Sequence, residues 1–286
     1  MAMSVNTNVG ALAALQSLNQ TAKGLSTTQT RITTGLNVSS TKDDSAKYTI
    51  AQTLRGDLGG LTAVTSSLGR AKSTVDVAVT GAEQVSDLVN QMKSKATEAS
   101  DTGIDDKSRT AIGADLVALK KQLNSIVSSS TFNGTNLLKT DATSTGKVSA
   151  LMSNTDLTAT LDVANVDLES GAATALGVAG TDTLLDLSGT TGAATATTLK
   201  GALDTFATAV SGKLSTLGSA SRQIDGQMSF VSKLSDAIEG GIGNLVDADL
   251  AKESAKLQAL QVKQQLGVQA LSIANQAPQS IMSLFR

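Results

Sequence analysis

Two pairs of adjacent carboxylates, Asp43-Asp44 and Asp105-Asp106, have the spacing that general acid–base chemistry could use. Each pair falls at a predicted helix start. Side-chain capping and the helix dipole explain acidic residues there better than catalysis does. Beyond them the chemical repertoire is narrow. The 286 residues include no His and no Cys. That excludes a Ser-His-Asp or Cys-His nucleophile, a His/Cys zinc site and any disulfide. No P-loop or G-x-G-x-x-G occurs either. The expectation is a protein without cofactor or metal, and not an enzyme. Asn-x-Ser/Thr matches begin at Asn19, Asn37 and Asn133, but chance accounts for them in a chain with 69 Ser and Thr.

Charge narrows the partners. Lys and Arg number 23 and Asp and Glu 25, a net charge of −2. Nucleic acid would need a clustered basic face, and a polybasic membrane anchor is equally absent. Met1-Ala2-Met3-Ser4 lacks a basic stretch followed by an apolar one, so no Sec-type leader is expected. No apolar run reaches the length of a membrane span.

The elements that position these residues are predicted to be long helices. Pro breaks the i→i−4 ladder, and the chain has one Pro, at 278. From Ile50 through Leu54, Leu61, Val64, Leu68, Val75, Val85, Val89 and Met92 to Ala99, apolar residues keep an unbroken 4-3 spacing with Asp57 the polar exception. That is a coiled-coil pattern. A second such frame runs from Leu199 through Phe206, Leu217, Ile224 and Leu234 to Leu245, and continues from Ala248 to Ile273. Gly240, Gly241 and Gly243 interrupt it, which predicts a hinge or unwound joint. A shorter frame spans Ala11 to Leu36, ended by Gly35 and the polar run from Ser39 to Lys42. A fourth helix uses Ile112, Leu116, Leu119, Leu123 and Ile126, after a turn at Asp101-Thr102-Gly103. Gln29, Gln227 and Gln264, polar on seam positions, are expected to set register.

The heptads vanish between about 131 and 198. Leu157, Ala159, Leu161 and Val163 alternate with Thr158, Thr160 and Asp162, a half-buried strand pattern. Lys147 to Ser153 is a plausible partner strand, and Asn133-Gly134 is a turn signal. The fold class is therefore mainly α: long antiparallel coiled-coil helices from both termini, with a small β-hairpin or loop region in the middle.

The last helix carries two apolar stripes. One is Val246, Leu250, Leu257, Leu260, Leu271 and Ala274. The other is Ala248, Ala251, Ala255, Ala259, Val262, Leu266, Ala270 and Ile273. A helix apolar on both sides is buried on both sides, and one N-terminal helix covers one of them. A large monomeric bundle satisfies this pattern, and so does a second copy of the chain. A heterologous contact that does not close makes a helical filament.

At both ends the residues resemble bacterial flagellin, the filament subunit of the flagellum. The N-terminal likeness is Ser4-Val5-Asn6-Thr7-Asn8, Arg31-Ile32-Thr33-Thr34-Gly35-Leu36, Asp43-Asp44-Ser45-Ala46, and Phe132-Asn133-Gly134 with Leu137-Leu138. The C-terminal likeness is Asp247-Ala248-Asp249, Glu253, Gln264-Gln265, Gly267, Ala274-Asn275-Gln276, Pro278-Gln279, Ser283-Leu284 and Arg286. It covers about the first 140 and last 90 residues. The short middle looks like alphaproteobacterial flagellins without large outer domains.

The resemblance implies an inner-tube domain, D0, from residues 1–44 with 242–286. It implies a D1 domain from 45–241, containing the β/loop insert at about 131–198. It implies a self-assembling, secreted subunit of the extracellular filament for swimming motility. A hook–filament junction protein, which has similar terminal helices, is the alternative. Implied partners are further copies, cap and junction proteins, and an export chaperone at the C-terminal helix of a type III substrate. The implied polymerisation interface is Leu15, Leu18, Leu25, Ile32, Leu250, Leu257, Leu260, Leu266, Leu271 and Ile273. Thr143, Ser144, Thr145, Ser153 and Thr155 are candidates for O-glycosylation.

Departures from the family pattern matter. Asn244 and Val246 stand where flagellins often carry an Arg and a Glu, so that pairing is absent or replaced by apolar packing. In the region read by the animal flagellin receptor, Gln-Arg-Val-Arg-Glu-Leu is replaced by Asn90-Gln91-Met92-Lys93-Ser94-Lys95. The departures at Gln91, Lys93, Ser94 and Lys95 imply weakened recognition.

Overall fold

The computed structural model describes residues 8–140, 146–156, 158–176 and 187–282. In chain order the elements are α1 (Val9–Thr34), α2 (Ser45–Ala99), α3 (Asp106–Ser129), β1 (Thr131–Phe132), β2 (Thr135–Asn136), β3 (Val148–Leu151), β4 (Thr160–Val163), α4 (Leu168–Leu176), α5 (Gly192–Val246) and α6 (Leu250–Met282). The chain divides into two compact units, Met1–Leu58 with Asp236–Arg286, and Gly59–Ser235. No described helix is long and apolar enough to cross a membrane.

In the first unit α1 lies antiparallel to α6. The Asn8 side chain caps α1, accepting from the Ala11 amide at 3.0 Å. Gly35 ends the helix in the left-handed region at φ 72°, its amide returning to the Arg31 carbonyl at 2.9 Å. The chain then crosses the end of α5. The Asn37 and Val38 amides donate to the Val246 carbonyl, and the Ala248 amide donates to the Gly35 carbonyl. Val38, Ala51 and Val246 form a small core there, packed by Leu36, Tyr48, Ile242 and Leu245. Asp44 accepts from the Lys47 amide at the start of α2, and Asp249 accepts from the Ala251 and Lys252 amides at the start of α6. Asp43 accepts from the hydroxyls and amides of Ser39 and Ser40. Those bonds, led by the Ser39 hydroxyl, hold its carboxyl below the usual range.

The expected joint at Gly240, Gly241 and Gly243 does not form. α5 runs unbroken to Val246, and the helical path breaks at Asp247–Asp249. Three glycines weaken helix propensity by only about 1 kcal/mol each. The break comes instead where Asp249 offers a cap and the Leu36–Asp247 bridge takes the backbone out of the helix.

The second unit is built on α2 and α5. Every apolar position of the α2 frame from Leu61 to Ala99 is buried, as are Leu199, Leu203, Phe206, Val210, Leu217, Ile224 and Val231 of α5. Gly81 lets the segment after α3 approach α2. A Cβ there would lie 2.3 Å from the Ser130 hydroxyl and 2.8 Å from Leu138. On α3 the buried stripe is Ile112, Leu116, Lys120, Leu123 and Val127. The predicted Leu119 and Ile126 sit half-buried at its margin, because the 3.6-residue helix drifts from a strict 4-3 spacing over four turns. Asp105 occupies the α3 N-cap, and the Ser108 hydroxyl donates to its carboxylate and lowers its pKa. Asp106 accepts from the Gly189 amide at 2.6 Å. Both acidic pairs are thus occupied by caps and turns.

The middle forms two antiparallel hairpins. β1 pairs with β2 across the Asn133-Gly134 turn, whose residues have φ 48° and 78°. β3 pairs with β4 in the register Val148↔Val163 to Leu151↔Thr160. The strand begins at Thr160 rather than in the Leu157–Ala159 stretch; Leu157 lies outside the described residues. The alternation holds from there, with Leu161 and Val163 buried and Thr160 and Asp162 exposed. The Leu151 amide donates to Ser67 and the Gln227 amide group to the Met152 carbonyl, so Gln227 anchors the hairpin to α5 rather than setting helix register. Helix α4 was not expected from the sequence. Its Leu168 and Ala172 are buried, and its remaining Gly, Ala and Thr carry little periodic signal.

Candidate assembly surface

The α1–α6 pair is closed by small residues and a few polar ties. The Gly24 backbone faces Leu260, and Gly267 faces Leu18, where a Cβ would come within 3.2 Å. The Asn8 amide group donates to the Ala274 carbonyl at 2.7 Å. Near the opposite end Arg31 Nη1 donates to Glu253 Oε1 at 3.2 Å. Glu253 is 8% exposed and Thr28 fully buried. Oε2 of Glu253 makes no hydrogen bond of good geometry among the described residues; Lys256, 3.7 Å away, and Thr28 are its polar neighbours. Burial alone would raise this carboxyl. The Arg31 hydrogen bond and the charges of Lys256 and Arg31 outweigh burial and leave it below the ordinary value of 4.5.

Six of the ten residues expected at the polymerisation interface are half-buried along this pair: Leu18, Leu25, Ile32, Leu257, Leu260 and Leu271. The other four face outward: Leu15 at 43% exposure, Leu250 at 50%, Leu266 at 57% and Ile273 at 69%. The two stripes of α6 therefore part company. The Leu257–Leu260–Leu271 stripe meets α1. Of the other stripe Ala251, Ala255, Ala259, Val262, Leu266, Ala270 and Ile273 are exposed and Ala248 is half-buried, while Leu250, expected on the first stripe, is exposed. Val9, Leu12 and Val268 are also exposed. The spacing of the seams does not include these three residues. Fully burying a Leu or Ile side chain contributes about 1.5–3 kcal/mol, so this open surface is a strong drive to associate.

Val246 is buried in the small core with Val38 and Ala51. Apolar packing stands where the family's charged pairing would be. In the segment expected to face the receptor, Gln91 and Ser94 are exposed and line a groove with Asp115, Leu119 and Gln122 of α3. Lys93 is held by Asp204 at 2.7 Å and Lys95 by Asp115 at 3.1 Å. Of the glycosylation candidates, Thr143, Ser144 and Thr145 lie outside the described residues. The Ser153 hydroxyl is half-buried and accepts from the Thr155 and Asp156 amides. Thr155 is exposed. The described residues contain no cluster of carboxylates that could hold a metal ion.

Long paired helices with an uncovered apolar face define a structural protein built to associate. Residues 5–143 match the bacterial flagellin N-terminal helical region, and residues 201–285 match the bacterial flagellin C-terminal helical region. The chain is 44% identical over 283 residues to flagellin FljM of Caulobacter vibrioides, covering 99% of this chain and 98% of that one. It is 38% identical over 286 residues to a flagellin of Brucella melitensis, covering 99% of each. A crystal structure of Bacillus cereus flagellin matches at TM-score 0.39 and 18% identity, over 67% of this chain and 94% of that one. The chain belongs to the bacterial flagellin family, in its short alphaproteobacterial form, and is a structural subunit of the flagellar filament that serves motility. No observation favours the hook–filament junction.

The Arg31–Glu253 pair makes a pH-dependent contribution. A carboxyl whose folded pKa is depressed stabilises above its unfolded pKa, and that stability is lost as pH falls through the folded value. Glu253→Gln should therefore lower the thermal midpoint at pH 7. The gap to the parent should close as the pH drops below about 4.5, the ordinary Glu value. A constant gap across that range, in melts followed by circular dichroism, would show that the pair does not act through ionisation.

Proposed function

We propose that the uncovered face of the α1–α6 pair is the principal polymerisation surface of this flagellin. The carrying observation is the exposed apolar stripe of Val262, Leu266 and Ile273 on α6; Leu12 and Leu15 are exposed on α1 as well. In this reading α1 and α6 form the inner-tube domain and residues between about 45 and 241 the surrounding one. The half-buried six then hold the pair together, while Leu15, Leu250, Leu266 and Ile273 meet other copies. Nothing in the site calls for catalysis, and the protein acts without enzymatic activity. It is secreted and works in the extracellular filament. Cap and junction proteins bound the polymer. The same α6 stripe is what an export chaperone covers before assembly, since an exposed apolar helix face needs a cover in a soluble chain.

An exposed side chain can be changed at little cost to the single chain. Leu266→Asp should leave the monomer's thermal midpoint within about 0.5 kcal/mol of the parent in stability. It should abolish filament growth from seeds in electron micrographs. Filaments of normal length from this variant would refute the surface.

We also infer that the animal flagellin receptor recognises this chain weakly, and two ion pairs support that reading. Lys93 and Lys95 are neutralised within the chain, and Ser94 offers no charge. Charge-assisted contacts and an apolar anchor carry such interfaces. Strong activation of receptor reporter cells at nanomolar protein would sink this expectation. Glycosylation of the Ser/Thr-rich middle, with Thr155 as the accessible described acceptor, predicts an intact mass above that of the sequence; equality of the two disposes of it.

A further inference from the structure

The unit formed by Gly59–Ser235 also carries an uncovered aromatic. Phe230 on α5 is 58% exposed, whereas Phe206 is 3% exposed and Tyr48 and Phe132 are half-buried. On the helical wheel Gly226 and Lys233 flank it, with Arg222 one turn beyond Gly226. Gly226 leaves open space above its backbone. Arg222 and Lys233 are exposed and hold no carboxylate among the described residues. This face is apolar at its centre and cationic at its edge.

A complementary face lies elsewhere on the same unit. Glu83 and Asp87, four residues apart on α2, are both exposed. Like charges at that spacing destabilise a helix unless a cation relieves them. The neighbouring lysines are committed elsewhere: Lys72 to Asp225 at 2.9 Å, Lys93 to Asp204 and Lys95 to Asp115. Asp87 falls on the column of Thr80, Gln84 and Gln91, which line the grooves between α2 and α3. Lys72 and Asp76 of α2 meet Asp225 and Ser221 of α5, roughly half a turn around α5 from Phe230. The Phe230 face therefore points away from α2, and one chain cannot bring the two faces together.

We propose that these faces meet between copies: the Phe230 face of one subunit docks on the acidic α2 face of a second copy. Arg222 and Lys233 pair with Glu83 and Asp87, and Phe230 enters the α2–α3 groove beside them. The contact joins two different patches, so it is heterologous and adds subunits without closing. Charge fixes which copy surfaces meet, and the buried ring supplies the apolar area. This inference rests on the filament reading and adds a second contact to it, distinct from α1 and α6.

The test is charge reversal in the full chain, read as the critical concentration for seeded polymerisation. Arg222→Glu with Lys233→Glu should raise that concentration by about tenfold or more, and so should Glu83→Lys with Asp87→Lys. All four changes in one chain should restore it to within about threefold of the parent. Phe230→Ser should raise it as the reversals do. Thermal midpoints of the monomers should stay at the parent value, since every altered side chain is exposed. Reversals that assemble like the parent, or a fourfold chain as poor as its components, overturn the contact alone. A parent that forms no filaments overturns this contact together with the filament reading.

Discussion

A helix that is apolar on two sides cannot be satisfied by one neighbour. α6 is such a helix, and everything distinctive about the first unit follows from which of its sides α1 covers. The Leu257–Leu260–Leu271 side is covered, and the Val262–Leu266–Ile273 side is not. At about 25 cal/mol per Å² of apolar surface, the uncovered side is a liability for a lone soluble chain and a driving force for a polymer. The polar ties set where that force points. Arg31–Glu253, Asn8–Ala274 and Gly35–Ala248 each contribute modestly, but they lie at different heights along the pair. A slide of one helix past the other breaks them together, so the open stripe has a fixed position.

Many of the Thr residues lie on the helices. Thr21, Thr27, Thr30, Thr49, Thr65, Thr80, Thr110, Thr197, Thr205 and Thr216 each donate their hydroxyl to the carbonyl four residues back. Such back-bonding satisfies the hydroxyl locally and leaves it indifferent to a partner. Helix faces coated this way are polar without being strongly charged. The few uncovered apolar or unpaired ionic residues therefore stand out against a neutral background.

Much of this was legible in the chain. The 4-3 frames of α2 and α5 read directly as buried seams, because no Pro and few polar residues interrupt them from Leu61 to Ala99. Gly35, Asn133-Gly134 and the acidic pairs declared turns and caps for reasons local to the backbone. The failures are equally physical. Gly240, Gly241 and Gly243 signalled a break, but propensity is a weak term beside a tertiary bridge four residues and a cap six residues beyond Gly243. α4 had no readable period. Leu119 and Ile126 were expected on the buried face of α3 and are half-buried, while Lys120 and Val127 are buried there instead, because the helix drifts from a strict 4-3 spacing. Of the assembly surface, the two stripes of α6 were visible, but which one α1 takes was not. Both are apolar, and the choice depends on Gly24 and Gly267 admitting Leu260 and Leu18.

The ionisable groups lead to the same reading of the molecule from another side. Each carboxylate with a resolved shift has an ordinary structural cause. Asp43 closes a turn on Ser39 and Ser40, Asp156 one on Thr158, and Asp204 bridges Lys93 and Lys200. Glu253 binds Arg31 across two helices. A reaction centre places groups with opposed shifts in one cleft, where one can give a proton and the other take it. Here the shifts are scattered along the chain and all run toward the charged form of each carboxylate. That pattern belongs to a structure that uses charge to hold register. The helices on their buried seams hold the positions of those charges, so each ion pair reports the register of the elements it joins.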